Sequence, residues 1–269
     1  VKHAVAPYCY RCPLKLSYPE CGVACAEDVD ELIRTTTTGQ VAGILAEPIM
    51  GVGGFITPPE EYFKTVAEIV RNYGGVFISD EVQTGFGRTG KRWGIEHYGV
   101  EPDMITVAKG IANGMPLAAV VTTKEIASTL TKNTISTFGG SPVSCAAANA
   151  TIDIIERDNL KDNSAEMGKI LRDGLEELKE KFPKVIGEVR GKGLMQGIEL
   201  VKDETTGDRT PNVAAADQLM EETKKRGLFI GRGGLYGNSM RISPPLVITK
   251  AEVEEAIGIM DDSFKAMNV

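Results

Sequence analysis

The stretch FISDEVQTGFGRTGKRWGIEHYGVEPDMITVAKGIANGMPLAAVV, residues 77–121, decides the fold. The apolar run VFIS that enters it stops at Asp80, and a second apolar run, ITV (105–107), stops just before Lys109. Short apolar runs bounded by polar and Gly-containing segments are typical of strands buried on both faces. Polar side chains that directly follow such strands lie at the carboxyl edge of a parallel sheet, where α/β proteins bind their ligands. We therefore group Asp80 and Lys109 as one candidate site.

The same pattern continues on both sides of this stretch. The run VAGILA (41–46) predicts a strand that stops at Glu47, and residues 118–122 predict a fourth strand. Helical patterns separate the strands up to a long, largely apolar helix, after which short strands and helices alternate. The order predicts an α/β fold with a mostly parallel sheet in residues 1–145, and a linker helix with a small α+β domain in residues 146–269.

Composition narrows the classes of protein to consider. The chain has 269 residues, 42% hydrophobic and 25% charged, which is the balance of an ordinary soluble globular protein. Its net charge of −7 argues against nucleic acid or an anionic membrane as the main partner. It shows neither a secretory signal nor an apolar run long enough to span a membrane. We expect a cytoplasmic protein and, because Val1 is not an initiator Met, the downstream part of a longer chain.

Cysteine usage is uneven. Four of the five cysteines, Cys9, Cys12, Cys21 and Cys25, follow the spacing C-x2-C-x8-C-x3-C. Such a cluster is compatible with a structural metal site, with disulfides, or with a Cys-rich loop that has neither role. The intracellular character of the rest disfavours disulfides, and the metal question stays open. Cys145 stands alone in a small-residue run, which predicts a packing role.

Asp80 and Lys109 together indicate a particular chemistry. A buried lysine has a lowered pKa and forms Schiff bases, although a lysine at a strand end can also simply extend its stem along apolar surface. A carboxylate at the neighbouring strand end can keep a pyridine nitrogen protonated, or can serve as a metal ligand. The pair favours pyridoxal 5′-phosphate as cofactor and places a metal second.

The motifs resemble one family over nearly the whole chain. Residues 77–121 closely resemble the central signature of the class III aminotransferases. The similarity continues through STFGGSPVSCAAA (136–148), VRGKGLMQGIEL (189–200) and MRISPPLVITKAEV (240–253). The stretches EPIMGVGG, GLFIGRGGLYGN and RISPPL look most like the second alanine–glyoxylate type within that family. The resemblance implies a fold-type-I pyridoxal-phosphate-dependent transferase, a homodimer with shared active sites, and amino acid and 2-oxo acid substrates.

The resemblance also assigns roles around the cofactor. Lys109 would carry the cofactor and shuttle the proton between the substrate α-carbon and the cofactor. Asp80 would pair with the pyridine nitrogen, Val82 would pack against the ring, and Gln83 would reach the phenolic oxygen. Thr137 would bind the phosphate of the partner subunit's cofactor. Gln83 and Thr137 could instead be turn residues without these roles.

One more role concerns the substrate. By resemblance, Arg241 would clamp the α-carboxylate in a bidentate pair, whereas the alternative is an ordinary surface charge. The ornithine and 4-aminobutyrate enzymes of the family carry a second Glu where this chain has Val52. Arg241 would therefore lack an acidic switch and stay free for a carboxylate. This favours alanine, β-alanine or a similar donor, with glyoxylate or pyruvate as acceptor.

Three functional hypotheses follow. Transamination is the first. A racemase or aminomutase of the same family is the second, although Gln83 favours amino transfer over the mutase reaction. The third is an inactive fragment, because the family's phosphate-gripping Gly/Ser/Thr loop and its ring-stacking aromatic residue would precede Val1. We expect the chain by itself to be poorly active, with an exposed apolar sheet edge.

Overall fold

The computed structural model describes residues 1–267, and the chain divides into two compact units. The first unit comprises residues 1–48, 58–86 and 91–158; the second comprises residues 49–57, 87–90 and the described chain from 159 onward. Two short segments from the first third of the sequence thus belong to the second unit. The domain boundary predicted after residue 145 stays a prediction. Within the described residues, no helix combines the length and apolar character needed to cross a membrane.

The first unit is built on a four-stranded sheet in sequential order. The strands are β1 (Gly43–Ala46), β2 (Val76–Asp80), β3 (Met104–Val107) and β4 (Ala119–Thr122). The pairs β1–β2 and β2–β3 are parallel, and β4 is antiparallel to β3. The mostly parallel α/β sheet predicted for this part of the chain is confirmed. Parallel neighbours need crossover connections, and these carry the helices and loops that surround the site.

The first unit also contains helices. They are α1 (Ala24–Thr36), α2 (Tyr62–Asn72), α3 (Lys124–Ser128) and α4 (Pro142–Arg157). Helix α2 is amphipathic, and its buried Phe63 packs against the ring of Phe77 in β2, with centroids 5.8 Å apart. Helix α4 begins with a proline, whose fixed φ suits the first turn of a helix.

The second unit contains an antiparallel sheet of five strands. They are β5 (Ile186–Lys192), β6 (Met195–Asp203), β7 (Asp208–Pro211), β8 (Gly231–Gly233) and β9 (Ser239–Ile242). The order is β5-β6-β9-β8, with β7 also paired to β6. Helices α5 (Leu160–Lys181), α6 (Val213–Lys225) and α7 (Lys250–Ala266) supply apolar faces to its core. This matches the small α+β domain predicted from the alternating pattern.

Candidate active site

Three polar residues lie where the parallel strands of the first unit end. Glu47 directly follows β1, Asp80 is the last residue of β2, and Lys109 comes two residues after β3. The register pairs Ala46 with Ser79 and Asp80 with Thr106, so the strands end at one edge of the sheet. This edge is where parallel α/β sheets place ligands. The structure thus brings the two residues grouped from the sequence to adjacent strand ends.

Lys109 begins a 3-10 turn, Lys109–Ala112, in a left-handed backbone conformation with φ of 46°. A residue with a Cβ rarely adopts this conformation, and such strained residues cluster at functional sites. Ile111 and Ala112 in the turn are buried together with Ala148 of α4, which fixes the backbone beneath the lysine. The Lys109 side chain is exposed rather than buried as the sequence pattern suggested.

Asp80 is oriented by its own backbone. Its Oδ1 accepts a hydrogen bond of 3.1 Å from the N–H of Val82, and the carboxylate is half-buried. This local contact holds an Asp side chain in a fixed direction at the start of a turn. Within residues 1–267 this carboxylate accepts no other hydrogen bond, so Oδ2 is available to a protonated ring nitrogen. Val82 and Gln83 are half-buried in the same turn.

Glu81 is the structural residue that sequence reasoning missed. It is 1% exposed and accepts four hydrogen bonds, which come from Ser79 Oγ (3.1 Å), Thr84 Oγ1 (2.5 Å), the N–H of Gly94 (2.8 Å) and the N–H of Ile95 (2.9 Å). Burial raises the pKa of Glu81 above its ordinary range, although these hydrogen bonds oppose the rise. Glu81 therefore ties the loop after β2 to residues 94–95. The sequence offered only an Asp-Glu pair, in which either carboxylate could face a ligand.

Thr137 lies apart from these contacts. It is exposed in the segment that precedes α4, and its side chain makes no hydrogen bond within the described residues. The segment is shaped by backbone bonds, including Gly139 N–H to Ser136 O at 3.3 Å. Its predicted role concerns the cofactor of a partner subunit and stays a prediction.

Arg241 belongs to the second unit, on β9. The guanidinium donates to the Arg232 carbonyl at 3.3 Å and lies 5.9 Å from the centre of the Phe55 ring. Its buried Nε has no hydrogen-bond partner among the described residues, and none of their carboxylates pairs with the charge. An uncompensated guanidinium with free donors suits a carboxylate ligand. Val52, in the same unit, is exposed.

The cysteine cluster lines one small cavity. Cys9, Cys12, Cys21 and Cys25 all contribute to its wall, and all are free thiols. Burial and the neighbouring thiols raise the pKa of Cys25 to about 11. In the part of the chain that the structure describes, no group of three or more His, Cys, Asp or Glu side chains is arranged to hold a metal ion.

Comparison with known proteins shows the family. The profile described as "Aminotransferase class-III" matches residues 3–264. The mitochondrial alanine–glyoxylate aminotransferase 2 homolog 2 of Arabidopsis thaliana is 44% identical over 268 residues, covering 99% of this chain and 55% of that relative. An alanine/serine racemase of Pyrococcus horikoshii is 42% identical over 226 residues, covering 84% of this chain and 47% of the relative.

Solved structures agree on the fold. A Bacillus anthracis aminotransferase superposes with a TM-score of 0.90 at 37% identity, covering 98% of this chain and 61% of that one. An amine transaminase from an uncultivated Pseudomonas species, solved in its PLP-bound form, gives a TM-score of 0.87 at 35% identity, covering 97% and 60%. The chain belongs to the class III aminotransferase family and has the fold-type-I architecture. It spans about half the length of the curated relatives it matches.

Proposed function

We propose that the protein carrying this chain binds pyridoxal 5′-phosphate at Lys109 and catalyses transamination between an amino acid and a 2-oxo acid. The observation that supports this is the placement of Lys109 and Asp80 at adjacent strand ends on one edge of the sheet, in a chain of this family. The PLP-bound form of a structural relative supports the choice of cofactor.

The residues present fit the cofactor. Asp80 has an oxygen free to accept a hydrogen bond from a protonated pyridine nitrogen, and its direction is fixed by Val82. Val82 and Gln83, in the turn held by Glu81, would contact the ring and its phenolic oxygen. When bound, pyridoxal 5′-phosphate supplies an electron sink for the negative charge that develops on the substrate α-carbon.

The chain's own groups would do the remaining work. Lys109 would be the acid–base group that moves the proton of the substrate α-carbon. Arg241 would hold the substrate α-carboxylate, because its guanidinium is not neutralised by any carboxylate of the described residues. Thr137 would bind phosphate across a homodimer interface. With Val52 in place of an acidic switch, we propose alanine or a similar donor, and glyoxylate or pyruvate as acceptor.

The test is a visible absorbance spectrum after addition of pyridoxal 5′-phosphate and desalting. The protein should retain the absorbance band of lysine-bound cofactor, and Lys109→Ala should lose it. Lys124→Ala is the matched control, because Lys124 is also exposed in the first unit but follows the end of β4, which is antiparallel to β3 and ends opposite Met104, at the start of β3. A band retained by Lys109→Ala would contradict the assignment of the lysine.

Alanine with glyoxylate or pyruvate is the first substrate pair to assay. Turnover should depend on the 2-oxo acid, whereas a racemase or aminomutase needs none. We expect the chain of residues 1–269 alone to be poorly active. Near-normal specific activity of this chain by itself would refute that expectation.

A further inference from the structure

Two residues lie close to the guanidinium of Arg241. The centre of the Phe55 ring is 5.9 Å from Cζ. An added Cβ at Gly233 of β8 would come within 2.5 Å of Nε and 3.1 Å of Cζ. The guanidinium therefore occupies space that exists only because residue 233 has no side chain, and it contacts an aromatic face that attracts cations.

Phe55 has a backbone conformation that is unfavourable for a residue with a large side chain. Its φ is 59°, in the left-handed region that a bulky residue rarely adopts, and it is 3% exposed. Backbone bonds on both sides support it: Phe55 N–H donates to the Met50 carbonyl, and Met50 N–H donates to the Ile56 carbonyl, both at 2.9 Å. A residue in a strained conformation persists only when the contacts around it hold it there, and such residues cluster at ligand sites.

Arg190 links the Phe55 loop to the strand of Arg241. Its Nε donates to the Gly54 carbonyl at 2.8 Å, and its Nη2 donates to Ser239 Oγ at 2.9 Å. Ser239 lies two residues before Arg241 on β9. The ring and the guanidinium are thus fixed relative to each other by one buried side chain.

The two arginines differ in how their charge is compensated. Arg190 pairs with Glu199 at 2.6 Å and also with Glu188. Arg241 has no carboxylate partner among the described residues, and its Nε is buried without a hydrogen bond. An aromatic face stabilises a cation without neutralising it and without using its N–H donors. Phe55 therefore holds the group in position and leaves its donors for an anion.

We propose that Phe55 and Gly233 are positioning residues that fix Arg241 for binding a carboxylate, and thereby make the enzyme prefer amino donors that carry one. The inference rests on the proposed function for the reaction. The prediction that Phe55 and Gly233 control carboxylate affinity is separate, because it concerns binding and can be measured without turnover.

The first readout is binding of propionate, which is alanine without its amino group, measured by calorimetry on the cofactor-loaded protein. Gly233→Ala should weaken binding by at least tenfold, since the new methyl group displaces the guanidinium. Phe55→Leu should weaken it roughly three- to tenfold by removing the aromatic face. Gly231→Ala is the matched control on the same strand, because its Cβ would meet only the Arg241 carbonyl, at 3.7 Å.

The second readout distinguishes a loss of carboxylate binding at Arg241 from a general loss of activity. Isopropylamine is alanine with its carboxylate replaced by a methyl group, so its single-turnover rate with the loaded enzyme should be unchanged in both variants. The KM for alanine should rise with little change in kcat. Equal effects on alanine and isopropylamine, or equal propionate affinity in Gly233→Ala and Gly231→Ala, would overturn the proposal. If neither amine reacts with the full-length wild-type protein while propionate affinity still responds as expected, the transamination proposal fails and this inference stands.

Discussion

Replacing Arg190 by Met should unfold the second unit at markedly lower denaturant concentration. The Arg190 side chain is 5% exposed and its partner Glu199 is fully buried. The substitution removes the hydrogen bonds to Gly54 and Ser239 and leaves a buried carboxylate without its cation. Removing one partner of a buried ion pair costs about 3–5 kcal/mol, because the remaining charge is uncompensated.

A double substitution separates the effect of the lost contacts from the effect of the unpaired buried carboxylate. In Arg190→Met/Glu199→Met the buried pair is replaced by apolar side chains of similar length, and only the partly exposed Glu188 loses its cation. Such replacements are often neutral or stabilising, so the double variant should recover most of the loss. The coupling energy of this cycle should be about 2–4 kcal/mol.

The loss of stability caused by Arg190→Met should depend on pH, and the pKa of Glu199 sets the direction. Burial raises the pKa of Glu199 to about 7 in the wild type. Without Arg190 the pKa should rise further. A raised folded-state pKa gives stability that is present below the unfolded-state value and is lost as pH rises through the folded-state value. The cost of Arg190→Met should therefore be smaller at pH 5.5 than at pH 8.5.

Urea denaturation followed by far-UV circular dichroism measures these differences. The single tryptophan, Trp93, lies in the first unit, so its fluorescence reports that unit separately. A cost below about 1 kcal/mol for Arg190→Met, or a double variant as unstable as the single one, would refute the reasoning.

Four further changes test the site and the packing. Asp80→Asn should weaken cofactor retention and lower kcat by at least about tenfold, since a neutral amide does not hold a pyridine nitrogen protonated; the readouts are the absorbance band and steady-state rates. Gly168→Ala should destabilise by about 1–3 kcal/mol, because the Cβ would lie 2.3 Å from the backbone of Gly193. Gly258→Ala, in an exposed helix position with open space, should stabilise by about 0.5–1 kcal/mol in the same urea assay. Thr249→Ala, which removes the capping box of α7, should cost about 1 kcal/mol and lower the melting temperature.

The strands around the site were predictable because their signals are local. Apolar runs that stop at Glu47 and Asp80, and just before Lys109, define both the strands and the edge where they end. The left-handed conformation of Lys109 was not predictable, because the letters KGIA do not specify it.

The charge network was beyond sequence reasoning for a different reason. Arg190 appears as one basic residue in a strand, and its contact with Gly54 spans 136 positions. The same holds for Glu81 and Phe55. Glu81 accepts hydrogen bonds from the backbone N–H groups of residues 94–95, and Phe55 lies near the guanidinium of Arg241. Only folding brings these groups together. Periodicity reports which face of an element is buried and carries no information on such distant partners.

The membership of residues 49–57 in the second unit has a consequence for synthesis on the ribosome. The Gly54 carbonyl leaves the ribosome 136 residues ahead of the arginine that binds it. At ordinary elongation rates of about 5–20 residues per second this interval lasts roughly 7–27 s. During that time the loop lacks the arginine side chain that binds it in the folded unit. The second unit can close only after residue 190 has emerged, so slow elongation between residues 57 and 190 would prolong the exposure of this loop to chaperones and proteases.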